Sequence, residues 1–102
     1  MISLNTLTPN GVMVEIASRV KQRRLELNLT QEGLAARAGM KLPTYRKFEQ
    51  TGSIAFEKLL QVAFALDCLR DFEEVFASHK YESLDEVLAV QSAKNRKRGK
   101  KH

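Results

Sequence analysis

The span from Thr30 to Gln50 concentrates side chains that donate hydrogen bonds: Gln31, Arg37, Lys41, Thr44, Arg46 and Lys47. Positive charge interleaved with amide and hydroxyl donors suits a polyanion, whose phosphate oxygens accept while the cations neutralise them. Catalysis asks for something else, a nucleophile beside a base that a third group orients. His79 and His102 lie far from this span and have no partner at metal-ligand spacing, so no catalytic residue, metal site or cofactor is expected. Cys68, the single cysteine, has apolar neighbours and reads as a small buried hydrophobe. It cannot staple a monomer, which fits a reducing, cytoplasmic compartment.

Charge is unevenly laid along the chain. Residues 15–50 carry eight basic and four acidic side chains, net +4, which makes this the polyanion-facing half. Residues 51–93 carry three basic and eight acidic, net −5, and suggest a second surface for a different partner. Residues 94–102 hold six basic side chains and nothing to bury, so a disordered basic tail is expected there, beginning at about residue 93. A chain of 102 residues, 43% of them hydrophobic, can form one compact core and not two. No basic-then-apolar leader opens it, and no apolar run approaches the roughly 20 residues that span a bilayer, so no membrane partner is expected.

The elements that must hold the donors in place read as helices throughout, with no strand alternation of useful length. Residues 1–11 look like a polar arm that closes on the breaker cluster Pro9-Asn10-Gly11. From Val12, apolar residues at Val12, Ile16, Val20 and Leu27 keep to one side of a first helix, which Asn28 can end in the left-handed region. Thr30 is placed to cap a short helix Gln31–Ala38, and Gly39 to turn the chain after it. A third helix runs from about Leu42 to Gln50, with Pro43 in its first turn, where a missing N–H matters little. Tyr45 and Phe48 share its inner side, so Thr44, Arg46 and Lys47 cannot all face inward too. Phe56–Leu66 is a fourth helix, apolar at Phe56, Leu59, Leu60, Ala63 and Leu66 with Val62 and Phe64 beside them. A fifth spans Leu69 to Phe76, and Leu84, Val87 and Leu88 suggest a short further helical segment within 79–92.

Two short helices joined by a glycine turn, the second with exposed cations, form a helix-turn-helix arrangement over residues 31–50. Ala35 spaces the two helices, Met40 can plug the gap between them, and Phe48 locks the second to the core. Residues 16–76, about three-fifths of the chain, resemble Cro/CI-type helix-turn-helix regulators, the XRE family. The motif is Leu29-Thr30-Gln31-Glu32-Gly33-Leu34-Ala35-Ala36-Arg37-Ala38-Gly39-Met40, followed by Lys41-Leu42-Pro43-Thr44-Tyr45-Arg46-Lys47-Phe48-Glu49. The resemblance implies an all-α, five-helix, lambda-repressor-like DNA-binding domain over residues 12–78. It also implies that Gln31 caps a DNA phosphate and that Lys41 sits near the backbone at the turn. Leu42, Pro43, Thr44 and Lys47 occupy positions that reach base edges or thymine methyls, with Arg46 beside them. Arg24 and Glu49 fall where the family often pairs the first helix with the recognition helix, leaving Arg24 near the DNA backbone. The same motif tips Arg19, Arg23 and Arg37 from a plain solvated face towards DNA contact.

Two departures shape the expectation. Gly33 stands where an acidic residue usually completes a capping box with Thr30, which costs up to about 1 kcal/mol. Leu42 and Pro43 are apolar at base-facing positions, which favours methyl contact and shape reading over hydrogen-bonded readout. Gly52–Leu60, Ala65–Phe76 and Ser83–Leu88 with the basic tail resemble the HipB-like antitoxins that accompany HipA-like kinases. One such domain reads only a few base pairs, so a homodimeric repressor on a pseudo-palindromic double-stranded operator is expected; the HipB likeness further implies that it autoregulates its operon and neutralises a HipA-like kinase toxin. Leu69, Phe72 and Phe76 would then divide between the core and a two-fold interface. A stand-alone phage-type or housekeeping repressor without a toxin partner is the alternative.

Overall fold

The computed structural model describes residues 7–78, so the first six residues, the 79–92 segment and the basic tail fall outside the described residues. Four α-helices follow one another: α1 Pro9–Glu26, α2 Gln31–Ala38, α3 Leu42–Thr51 and α4 Phe56–Ala65, then a 3-10 helix Leu69–Phe72. No strand occurs among the described residues, and none of their helices is long and apolar enough to cross a membrane. The arrangement is the all-helical, lambda-repressor-like one.

The first helix begins before Val12. Thr8 Oγ1 accepts from the Gly11 N–H at 3.0 Å and Pro9 follows as the first helical residue, so the Pro-Asn-Gly cluster is the opening turn rather than a breaker. A proline there gives up an N–H that has no intrahelical partner in any case. Three helices end alike, with one residue in the left-handed region and paired bonds back into the last turn. After α1, Asn28 has φ 57°, and the N–H groups of Asn28 and Leu29 donate to the carbonyls of Leu25 and Arg24 at 3.0 and 3.1 Å. Gly39 after α2 and Asp67 after α4 repeat the pattern, the latter at φ 58°. These closures satisfy carbonyls that a helix end leaves open, and they let α1, α2 and α4, of 18, 8 and 10 residues, stop sharply.

The fifth element departs from expectation. Its bonds run from each N–H to the carbonyl three residues earlier: Asp71 to Cys68, Glu73 to Arg70, Val75 to Phe72 and Ala77 to Glu74. The apolar residues Leu69, Phe72 and Val75 recur every third position, which matches a three-residue turn better than an α-helical one. Phe76 itself is fully exposed and takes φ 60°, ending the turns.

The core gathers around Tyr45, Phe48, Leu34 and Val62, each essentially without solvent contact, with Ala17, Ala35, Ala38, Met40 and Leu66 closing it. Tyr45 and Phe48 meet edge to face, their ring centres 6.0 Å apart. Met40, in the turn between α2 and α3, is buried with this core. The expected stripes shift at their ends. Leu27 of the first stripe is exposed, and the next inward position after Val20 is taken by Arg24, which is buried. On α4, Val62 is the innermost residue, while Phe56 and Phe64 lie largely in solvent. Phe56 meets Phe72 edge to face at 6.1 Å.

The turn after α3 lies close against the backbone of α1. Gly52 has φ 82°, and a Cβ there would lie 2.7 Å from the Met13 carbonyl carbon and 2.8 Å from its oxygen. Gly39 shares the left-handed backbone at φ 74° but has open space where a Cβ would be. Gly39→Ala should therefore cost only the backbone strain, about 1–2 kcal/mol. Gly52→Ala should lose about 1–3 kcal/mol more, because main-chain atoms of α1 must move. Urea midpoints of the two variants test the order, and equal losses would show that α1 yields freely at Met13.

Candidate nucleic-acid interface

The inner side of α3 is set by its two core aromatics. With Tyr45 and Phe48 buried, helical geometry turns Pro43, Arg46, Lys47 and Gln50 to the opposite side, and all four are exposed. Leu42 and Thr44 flank this face and are half-buried. Lys41 precedes the helix in extended backbone and is exposed, and its side chain forms no cap on the helix. Pro43 has no N–H, so the first turn of α3 offers few donors of its own and Lys41 supplies the charge beside them. Arg37 is exposed in the last turn of α2. Among the described residues, none of Arg37, Lys41, Arg46 and Lys47 makes an ion pair.

Behind this face lies a charged knot. Glu49 takes its two oxygens inward from α3, and Arg24 comes to meet it from α1, their side chains 4% and 8% exposed. Arg24 Nε donates to Glu49 Oε2 at 2.7 Å and Nη2 to Oε1 at 3.3 Å, a two-pronged contact. Arg24 Nη1 donates to the Leu29 carbonyl at 2.8 Å, which ties down the chain just before α2. Gln31 Nε2 donates to Glu49 Oε1 at 2.9 Å, and the Tyr45 hydroxyl donates to Oε2. Four donors on one carboxylate account for its burial, and no buried side-chain polar atom among the described residues lacks a partner. Burial alone would raise the Glu49 pKa, but the bonds from Arg24, Tyr45 and Gln31 outweigh it and hold the carboxyl below its ordinary 4.5. The Tyr45 hydroxyl is pushed well up by burial and by the carboxylate it faces, so it stays a donor. The bond to Glu49 likewise raises the Arg24 pKa against the opposing effect of burial.

This arrangement redistributes the expected contacts. Arg24, expected near the DNA backbone, is 7% exposed, and its donors are committed to Glu49 and Leu29. It belongs to the scaffold beneath the face. Gln31, expected to cap a phosphate, has both ends of its amide engaged, Nε2 with Glu49 and Oε1 with Arg46 Nε at 3.3 Å. Arg19 and Arg23 line a groove of about 320 Å³ between α1, α4 and the 3-10 helix, with Cys68, Asp71 and Phe72 across from them. They pair with Glu15 at 3.4 Å and with Asp71 at 3.2 Å. Cys68 is half-buried there, and burial pushes its thiol up. Two participants escape a reading of the sequence alone. Tyr45 joins the carboxylate through a spacing of four from Glu49, and Gln50 completes the outer face four residues after Arg46.

A family model described as helix-turn-helix matches residues 20–71, just over half of the chain. No curated protein and no solved structure matches it.

The knot has a pH signature. A carboxyl whose folded pKa lies below its unfolded one contributes stability that is complete above the unfolded value and lost as pH falls through the folded value. Arg24 stays protonated throughout, so the acid limb belongs to Glu49. Glu49→Gln should destabilise by about 3–5 kcal/mol at neutral pH, because it strands a buried guanidinium. Below pH 4.5 the wild type should lose stability more steeply than the variant. Urea midpoints measured from neutral pH downward check both statements; parallel curves would mean that Glu49 contributes no folded-state shift.

Proposed function

The chain belongs to the helix-turn-helix family of DNA-binding transcription regulators, and from that premise we propose that it is a sequence-specific, homodimeric repressor of the cytoplasm. The observation that carries this reading is the outer face of α3, where Pro43, Arg46, Lys47 and Gln50 are exposed while Tyr45, Phe48 and Glu49 hold the helix from behind. In this reading α3 lies in the major groove of double-stranded DNA. Lys41 neutralises a phosphate at its N-terminal end, and Lys47 reaches a base edge. Leu42, Pro43 and Thr44 offer methyl contact and shape rather than bidentate readout. Arg37, at the end of α2, adds to the positive field that draws the duplex in.

A single recognition helix reads few base pairs, so useful specificity needs two on a pseudo-palindrome, one helical turn apart. The exposure of Leu69 and Phe76, against the half-buried Phe72 that rests on Phe56, supports a two-fold contact through this end of the chain. The finer role we propose is that of a HipB-like antitoxin, which autoregulates its operon and neutralises a HipA-like kinase toxin. The net charge of −5 over residues 51–93 supports it, since acidic surface is of little use beside DNA and can steer a basic protein partner. A stand-alone phage-type or housekeeping repressor is the second reading, and a purified HipA-like kinase that ignores this protein at micromolar concentration would favour it.

Duplex affinity should fall steeply with salt, and every phosphate that a variant no longer neutralises should flatten the log–log slope by about 0.9. Lys41→Ala should weaken all duplexes alike, whereas Lys47→Ala should also relax preference at one base position. Fluorescence anisotropy on duplexes selected from a random pool measures both, and unchanged slopes would remove α3 from the groove. In sedimentation, the wild type should run as a dimer on its operator and Phe76→Asp as a monomer; a wild-type monomer at high micromolar concentration would rule out the two-fold interface.

A further inference from the structure

Gln31 sits between a carboxylate and a guanidinium, and this decides which way its amide points. Glu49, with its pKa held down, only accepts hydrogen bonds, so the amide nitrogen must face it; the distance is 2.9 Å. Arg46 only donates, so the amide oxygen must face Arg46 Nε; the distance is 3.3 Å. Turning the amide over would set oxygen against carboxylate and NH₂ against guanidinium, two unfavourable contacts in place of two favourable ones. The orientation is thus determined from both ends. Its consequence is that Gln31 turns its acceptor towards Arg46 on the outer face of α3.

We infer that Gln31 is a positioning residue, which holds the Arg46 guanidinium for a DNA acceptor. The inference rests on the DNA-binding reading above. Holding Arg46 at Nε leaves both terminal NH₂ groups free, side by side, on an exposed side chain. Such a fork matches an acceptor with two adjacent lone-pair atoms, a phosphate or the O6/N7 edge of guanine. A free arginine loses considerable rotamer freedom on binding, and one already held loses less. A chain of contacts therefore runs from the buried Arg24 through Glu49 and Gln31 to the exposed Arg46. The buried ion pair sets the aim of a surface cation on its own helix, α3, by way of α2.

The test is a set of mutant cycles, with Gln31→Ala placed in the wild type, in Arg46→Ala and in Arg46→Lys. Affinity is measured over a range of salt on duplexes selected with the wild type from a random pool. In the wild type, Gln31→Ala should weaken binding about five- to tenfold, the usual size of coupling between directly bonded residues. In the Arg46→Ala background it should change nothing, because no guanidinium is left to hold; in Arg46→Lys it should cost less than in the wild type, because an ammonium that bonds the Gln31 oxygen has no forked pair of NH₂ groups left to aim. Arg46→Lys, an exposed change that leaves the buried pair intact, should by itself weaken binding as Gln31→Ala does. A phosphate acceptor would show as a slope reduced by about 0.9 in Arg46→Ala, and a guanine as a loss confined to duplexes with one particular G. Equal losses from Gln31→Ala in all three backgrounds, or an Arg46→Lys variant that binds like the wild type, would overturn the inference and leave DNA binding standing. A wild type that selects no duplex would instead remove the DNA-binding reading, and the inference with it.

Discussion

A guanidinium and a carboxylate taken out of water together must find each other and must find every remaining partner, and the rest of this structure depends on that constraint. Arg24 occupies the inward position of α1 that follows Ala17 and Val20, where an apolar side chain would ordinarily continue the stripe. Among the described residues only Glu49 on α3 compensates its charge, and the two-pronged contact fixes direction as well as distance. The axial position of α3 against α1 is then not adjustable. Whatever stands on the outer face of α3 inherits a fixed relation to the body of the domain, which a surface that reads another molecule requires.

Packing and polarity are joined in one residue. The ring of Tyr45 lies in the core against Phe48, while its hydroxyl is one of the four donors on Glu49. A shift of the aromatic layer would therefore break the polar knot, and a broken knot would leave a buried hydroxyl unsatisfied. Leu29, through its carbonyl on Arg24 Nη1, draws the start of α2 into the same arrangement. Three helices are tied at one point by groups that tolerate little displacement. Isolated helices of eight to ten residues are not stable in water, and here their sharp left-handed ends and common core take the place of length.

The opposite side of the domain is built differently. The groove between α1, α4 and the 3-10 helix is rimmed by exposed ion pairs, Arg19 with Glu15 and Arg23 with Asp71, which contribute little on their own. Exposed Phe64 and Phe76 stand near this end without core partners. The buried ion pair lies beneath α3, whereas the ion pairs of this groove are exposed to water.

Much of the fold is legible in the amino-acid sequence by itself. The span Thr30–Gly39 closes as a helix with the expected bounds because both ends are written locally: the Thr30 hydroxyl accepts from the Gly33 N–H at 2.9 Å, and only glycine takes the turn at Gly39 without strain. The Tyr45–Phe48 register likewise determines which side of α3 faces outward, since helical period follows from sequence alone. At the start of α1 the local signal is double-edged: Thr8 and Pro9 begin a helix, yet Pro-Asn-Gly also has the composition of a breaker. The run 69–76 has the apolar content of an α-helix and keeps a period of three instead. What tertiary structure alone decides is where the polar groups go. That Arg24 is scaffold rather than contact, that Gln31 faces Glu49 with one end and Arg46 with the other, and that Phe64 stays in water all follow from distances between helices. Local sequence sets the rotation of a helix about its own axis; which donor meets which acceptor depends on how the helices lie against one another, and that is settled only when the core closes.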